Sequence, residues 1–229
     1  MAEKDPIEIL KRKLMTMAEL SEAAVQRAID SIAKRDSGLA ASAKEHDKAI
    51  DDLEMEIDEL AIELLTTRRS APEVRLLTVA MKIGRDLERV GDEATTISRR
   101  AFDLNQDKLT QPTIDISSAS AAALAMLRDA LDAFTQADPV EAREIITRDK
   151  QVDANNKQIQ RTLTDYIEKN PAATQRCLNL MVISKSLERI ADHATNIAED
   201  VVYLYEGRDI RHTGKGKVRP AESDPGARA

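Results

Sequence analysis

Met81–Leu104, MKIGRDLERVGDEATTISRRAFDL, is written a second time as MVISKSLERIADHATNIAEDVVYL from Met181 to Leu204. The two stretches align without a gap. Met81/Met181, Ile83/Ile183, Leu87/Leu187, Glu88/Glu188, Arg89/Arg189, Asp92/Asp192, Ala94/Ala194, Thr95/Thr195, Ile97/Ile197 and Leu104/Leu204 are identical. Identity at this density over one fixed offset indicates an internal duplication. Leu76, Ala80, Ile83, Leu87, Val90, Ala94, Ile97, Ala101 and Leu104 alternate by four and three, the spacing that lays one apolar seam along a helix. The second copy repeats it from Ile183 to Leu204. At about 100° per residue, Glu88 and Asp92 fall roughly 130° and 170° from the middle of that seam. They are therefore expected on the outer, solvent-facing side of the helix.

Working outward, Asp5-Pro6 supplies an N-cap and a first helical residue, and the predicted first helix carries Leu10, Leu14, Met17, Ala24, Ala28 and Ile32 inward. Asp36, Ser37 and Gly38 end it. A second helix, with Ile50, Leu53, Ile57, Leu60 and Leu64 as its stripe, runs to about Arg68. Ser70-Ala71-Pro72 breaks the chain before the helix that bears the repeat. After a linker around Asn105–Pro112, a fourth helix spans about Asp115–Gln136, a fifth reaches Lys169, and Asn170-Pro171 turns into a sixth. The expected architecture is all-α: six helices as two tandem, duplicated three-helix bundles, over 1–106 and 107–207, with a disordered tail at 208–229. Composition agrees. Only 2% of the 229 residues are aromatic and no β-alternating run occurs.

A net charge of −7 argues against a nucleic-acid partner. The lone Cys177 excludes an intramolecular disulfide and suits a reducing compartment. No secretion signal or bilayer-length apolar run is visible, so the expectation is a cytoplasmic protein without direct membrane insertion, held at the inner face of the membrane by partners if it is there at all.

The repeat extends to the acids. DKAID places Asp47 and Asp51 four apart, and DKQVD does the same with Asp149 and Asp153. In an antiparallel hairpin turning near Arg69-Ser70, Asp47/Asp51 lies level with Glu88/Asp92. A turn at Asn170-Pro171 brings Asp149/Asp153 level with Glu188/Asp192, and at ~1.5 Å rise per residue each meeting point is about 30 Å from its turn. Four carboxylates on one patch repel unless a cation bridges them, and hard oxygen ligands suit iron, manganese, magnesium or carboxylate-held zinc. An acidic pair at i, i+4 is by itself ordinary solvated surface. Duplication on two hairpins favours metal. His193, beside Asp192, is a weaker candidate because its counterpart is Glu93. Arg85, Arg89 and Arg99 share the outer side of their helix, where balancing nearby acids is favoured over holding an anion.

LERVGDEATTIS and LERIADHATNIAED, with DKAID and DKQVD before them and GRDIRH after the second, resemble the PhoU family of phosphate-signalling regulators from about Leu10 to His212. The resemblance implies two three-helix bundles carrying metal clusters on carboxylate faces, with Glu88, Asp92, Glu188 and Asp192 as ligands and Asp47, Asp51, Asp149 and Asp153 completing the sites. It implies a negative regulator of the phosphate-starvation response, coupling the ATPase subunit of a high-affinity phosphate ABC transporter to a sensor histidine kinase. The first copy departs further from the family pattern, with Glu93, Thr96 and Arg99 where the second has His193, Asn196 and Glu199. A homodimer is an expectation without a distinct sequence mark. Two other readings stay open: a carboxylate-bridged di-metal enzyme, whose usual inward-facing Glu-x-x-His ligands are missing here, and a structural scaffold, which leaves the duplicated acids unexplained. No nucleophile with its base, phosphate loop or dinucleotide fingerprint is present.

Overall fold

The computed structural model describes residues 5–41, 43–108 and 111–211, with side chains described for all of these except 40, 41 and 43–46. The expected tail falls outside the described residues from 212 on. Its first residues, 208–211, are described and lie beyond the last helix. The elements are α1 (Pro6–Lys34), α2 (Ser37–Ala41), α3 (Ala43–Leu65), α4 (Ala71–Gln106), α5 (Ile116–Gln136), α6 (Pro139–Lys169), one 3₁₀ turn (Pro171–Ala173) and α7 (Thr174–Glu206). Two boundaries differ from the sequence reading. The short α2 stands where a plain turn was expected, and α3 ends at Leu65 rather than Arg68. After Leu65, Thr66 and Thr67 bond their hydroxyls back to the carbonyls of Glu63 and Leu64. Such side-chain bonds compete with helix propagation.

The remaining ends follow local chemistry. Asp5 caps α1 by accepting from the Ile7 amide at 3.0 Å. Ser70 and Glu73 form a capping box on α4, Asp115 caps α5 and Asp138 caps α6. Gly207, at φ +68°, closes α7 in the left-handed region where glycine carries no steric cost.

α1, α3 and α4 pack on one another, as do α5, α6 and α7. The two triads then join through α4 against α7, with a smaller contact of α1 on α5. α4 and α7 run antiparallel: Lys82, Asp86 and Glu93 pair with Asp200, His193 and Arg189 in turn. Because the repeat shifts numbers by 100, positions 90 and 190 face each other and a pseudo-two-fold axis passes there. Val90 and Ile190 are both fully buried. The apolar seams read from the sequence meet at this axis, and the described core is one continuous cluster running from Leu10 to Leu204. α3 and α6 flank the assembly and do not touch each other.

Candidate metal-binding site

Each repeat helix presents three strips in order around its circumference. With ~100° between residues, Glu88 and Asp92 lie on the side of α4 towards α3. Arg85 and Arg89 occupy the exposed strip beside them, and Lys82, Asp86 and Glu93 border α7. α7 repeats the order with α6 in place of α3. Both acidic grooves, α3/α4 and α6/α7, therefore open on the same face as the α4/α7 seam, at the same height.

The sequence reading placed Glu88 and Asp92 in solvent; Asp92 is exposed as expected, and the structure corrects Glu88 and its counterpart Glu188. Glu188 is buried, with 9% of its surface exposed, and the Glu88 side chain is only 17% exposed. Flanking helices cover them: α7 has α4, α5 and α6 around it, and α4 has α1, α3 and α7. Periodicity within one helix does not register a neighbour of that kind.

In the second groove Asp149, Asp153 and Asp192 each bring a carboxylate oxygen to within 4.8 Å of the other two. Burial, then the charges of Glu188 and Asp149, push the Asp192 carboxyl up to about 6. Asp149 is raised as well, by burial and then by Asp153 and Glu188. Asp149 Oδ1 and Thr195 Oγ1 are buried with no hydrogen-bond partner. The equivalent pair in the first groove is joined, Thr95 Oγ1 donating to Asp47 Oδ1 at 3.2 Å. Buried polar atoms without partners are costly, and here they border a cluster of three carboxylates. That donor set suits a hard divalent cation. Glu188 is neutralised by Lys185, and Lys157 stands 3.6 Å from Asp153. No ion pair reaches Asp149 or Asp192 among the described residues.

The first groove brings the same four positions together less tightly, and no three of its acids meet the spacing found in the second. Asp51 is raised by burial and then by Asp47 and Asp92; Glu88 is raised by burial and then by Asp92, against the pull of Arg89. Arg89 bridges its acids, Nε to Glu88 Oε2 at 3.2 Å and Nη1 to Asp92 Oδ2 at 2.8 Å, which is the charge-balancing role expected for it. Burial makes two further carboxylates, Glu54 and Asp58, weaker acids, against the pull of Arg85. The sequence reading missed them, although Asp47, Asp51, Glu54 and Asp58 continue one stripe at spacings of four, three and four. In α6 the same stripe turns to amides: Asn156 accepts from Ser184 at 2.8 Å, and Gln160 donates to the Met181 carbonyl at 3.0 Å. His193 points to the seam, its Nδ1 2.8 Å from Asp86 Oδ1, away from the acidic groove. Cys177 is buried.

The PhoU domain family matches this chain twice, over residues 14–101 and 116–201. The chain belongs to the PhoU family. The phosphate-specific transport system accessory protein PhoU homolog of Pseudomonas aeruginosa is 36% identical over 215 residues, which cover 93% of this chain and 89% of that protein. The phosphate-specific transport system accessory protein PhoU of Escherichia coli is 32% identical over 209 residues, covering 91% and 87%. The crystal structure of PhoU from Pseudomonas aeruginosa superposes with a TM-score of 0.86 at 36% identity, covering 89% of this chain and 98% of that one. A phosphate transport system regulatory protein PhoU from Streptococcus pneumoniae shares the fold at 24% identity, with a TM-score of 0.82 and coverage of 89% and 97%. None of the described helices is long and apolar enough to cross a membrane.

Proposed function

We propose that this protein is a metal-binding accessory regulator of phosphate transport that carries out no catalysis. In this reading it docks on the ATPase subunit of a phosphate ABC transporter and on a sensor histidine kinase, and silences starvation genes when phosphate is plentiful. Family membership supports the link to phosphate transport, since the relatives are named as accessory proteins of the phosphate-specific transport system. The observation that carries the metal reading is the convergence of Asp149, Asp153 and Asp192 around buried polar atoms without partners. Asp149, Asp153, Glu188 and Asp192 would hold one ion or cluster, and Asp47, Asp51, Glu88 and Asp92 the other. A bound cation supplies positive charge that lets the acids of α6 and α7 lie together, which fixes the shape of the face a partner meets.

Two experiments test the two halves of this reading. Deleting the gene in its native cell should raise a phosphate-starvation reporter such as alkaline phosphatase in phosphate-rich medium, and complementation should silence it. A reporter that stays low in the deletion, with normal phosphate uptake, speaks against the regulatory role. For the metal, mass spectrometry of purified protein should find less bound metal in Asp92→Ala and Asp192→Ala than in wild type. Unchanged stoichiometry would sink the assignment.

A further inference from the structure

Arg89 and Arg189 occupy identical positions in the repeat and do different things. Arg89 lies over its own groove, bridging Glu88 and Asp92 at 3.2 and 2.8 Å. Arg189 turns the other way, across the seam, where its Nη1 meets Glu93 Oε1 of α4 at 3.1 Å. Both side chains are about half exposed, at 47% and 54%, so neither is fixed by packing. Each stands on the exposed strip between an acidic groove and the seam, within reach of both.

What differs is the residue opposite. The two-fold that pairs Arg189 with Glu93 sets His193 opposite Arg89. An imidazole offers a guanidinium no anion, and this one is already bound to Asp86 at 2.8 Å. Arg189 is drawn out of its groove by Glu93; Arg89 has no such draw and stays in. The second groove is left with Lys185 on Glu188 and Lys157 at 3.6 Å from Asp153. Those lysines are single-point charges on flexible stems, whereas Arg89 lies over two carboxylates at once, hydrogen-bonded to Asp92 and in charge contact with Glu88, whose Oε2 accepts no hydrogen bond.

We propose that Glu93 and His193, facing the two arginines across the α4/α7 seam, make the acidic grooves unequal cation sites. The second groove, vacated by Arg189, binds a divalent cation more tightly. The first is guarded by Arg89, which a cation must displace. This inference rests on the metal reading above and adds a filling order to it.

The test is calorimetric titration of Mn²⁺ into the chelator-stripped full chain. One groove is silenced at a time, by Glu188→Gln with Asp192→Asn or by Glu88→Gln with Asp92→Asn. With the second groove intact, Mn²⁺ should bind roughly three- to tenfold more tightly than with the first intact, the range set by two partly exposed ion pairs. Arg89→Gln should tighten the first groove by a similar factor. Glu93→Gln should weaken the second by freeing Arg189 to fall onto Glu188 and Asp192. Equal affinities, or an Arg89→Gln change that leaves the first groove unaltered or weaker, overturn the inference while leaving metal binding intact. A wild-type chain that takes up none of Mn²⁺, Mg²⁺, Zn²⁺ and Fe²⁺ overturns both.

Discussion

Gly84 and Gly91 lie inside α4, where a glycine costs about 1 kcal/mol against alanine. A Cβ at Gly84 would meet Ile57 Cγ2 at 3.6 Å, an ordinary contact, whereas one at Gly91 would come within 3.0 Å of Ile50 Cδ1. Gly84→Ala should therefore raise stability by about 0.5–1 kcal/mol in urea unfolding. Gly91→Ala should gain less, since Ile50 must move, even though Ala191 occupies the matching place in α7. Asp192 makes a prediction in pH. Its folded carboxyl sits at about 6, above the ~3.9 of an unfolded chain, so the folded state binds more protons between these values. Stability of the metal-free protein should rise as pH falls from 7 through 6 towards 4, where both states become protonated. Thermal melts in chelator should show this, and Asp192→Asn should raise the melting temperature at pH 7 and flatten the profile.

At the scale of elements, the α4 cap and the α4/α7 seam offer separate tests. Ser70 Oγ receives the Glu73 amide at 3.4 Å while Glu73 Oε2 receives the Ser70 amide at 2.8 Å, and Ser70→Ala should cost about 1 kcal/mol. Across the seam, Lys82 Nζ lies 2.8 Å from Asp200 Oδ1, and the Asp200 side chain is 6% exposed. Lys82→Ala leaves that carboxylate buried with only the longer-range charge of Arg211 to oppose it, at a cost of roughly 1–3 kcal/mol; Asp200→Asn, which keeps a polar group without the charge, should cost less, and chemical denaturation separates the two. The helices themselves were legible in the sequence because Ile83, Leu87, Val90, Ala94 and Ile97 repeat every three or four residues and Asp-Pro and Ser-Ala-Pro mark their starts. So was the level placement of the acidic pairs, which needs only a hairpin and a rise per residue. The burial of Glu188 and the pairing of His193 with Asp86 were not. The first depends on how α4, α5 and α6 close around α7, and the second on a seam between residues 107 apart; neither leaves a trace in the local pattern. α2 was missed for a simpler reason: Ser37–Ala41 is too short for an apolar period to show.

Taken whole, the molecule is two triads sharing one apolar cluster. Its unfolding should accordingly be a single event. All three tyrosines, Tyr166, Tyr203 and Tyr205, belong to the second triad, so near-ultraviolet tyrosine signals report on that triad and far-ultraviolet signals on both. Coincident urea transitions from the two are expected; separated transitions would show the triads to be independent. The seam has a further consequence, for ancestry. A two-fold contact presents the same patch from both sides, so a chain carrying one copy of the repeat could have closed on a twin of itself along α4 and built the same body from two identical polypeptides. Every substitution in such an ancestor would appear twice. Once the copies were joined end to end, position 93 could become glutamate while position 193 became histidine, and the two grooves acquired the freedom to differ.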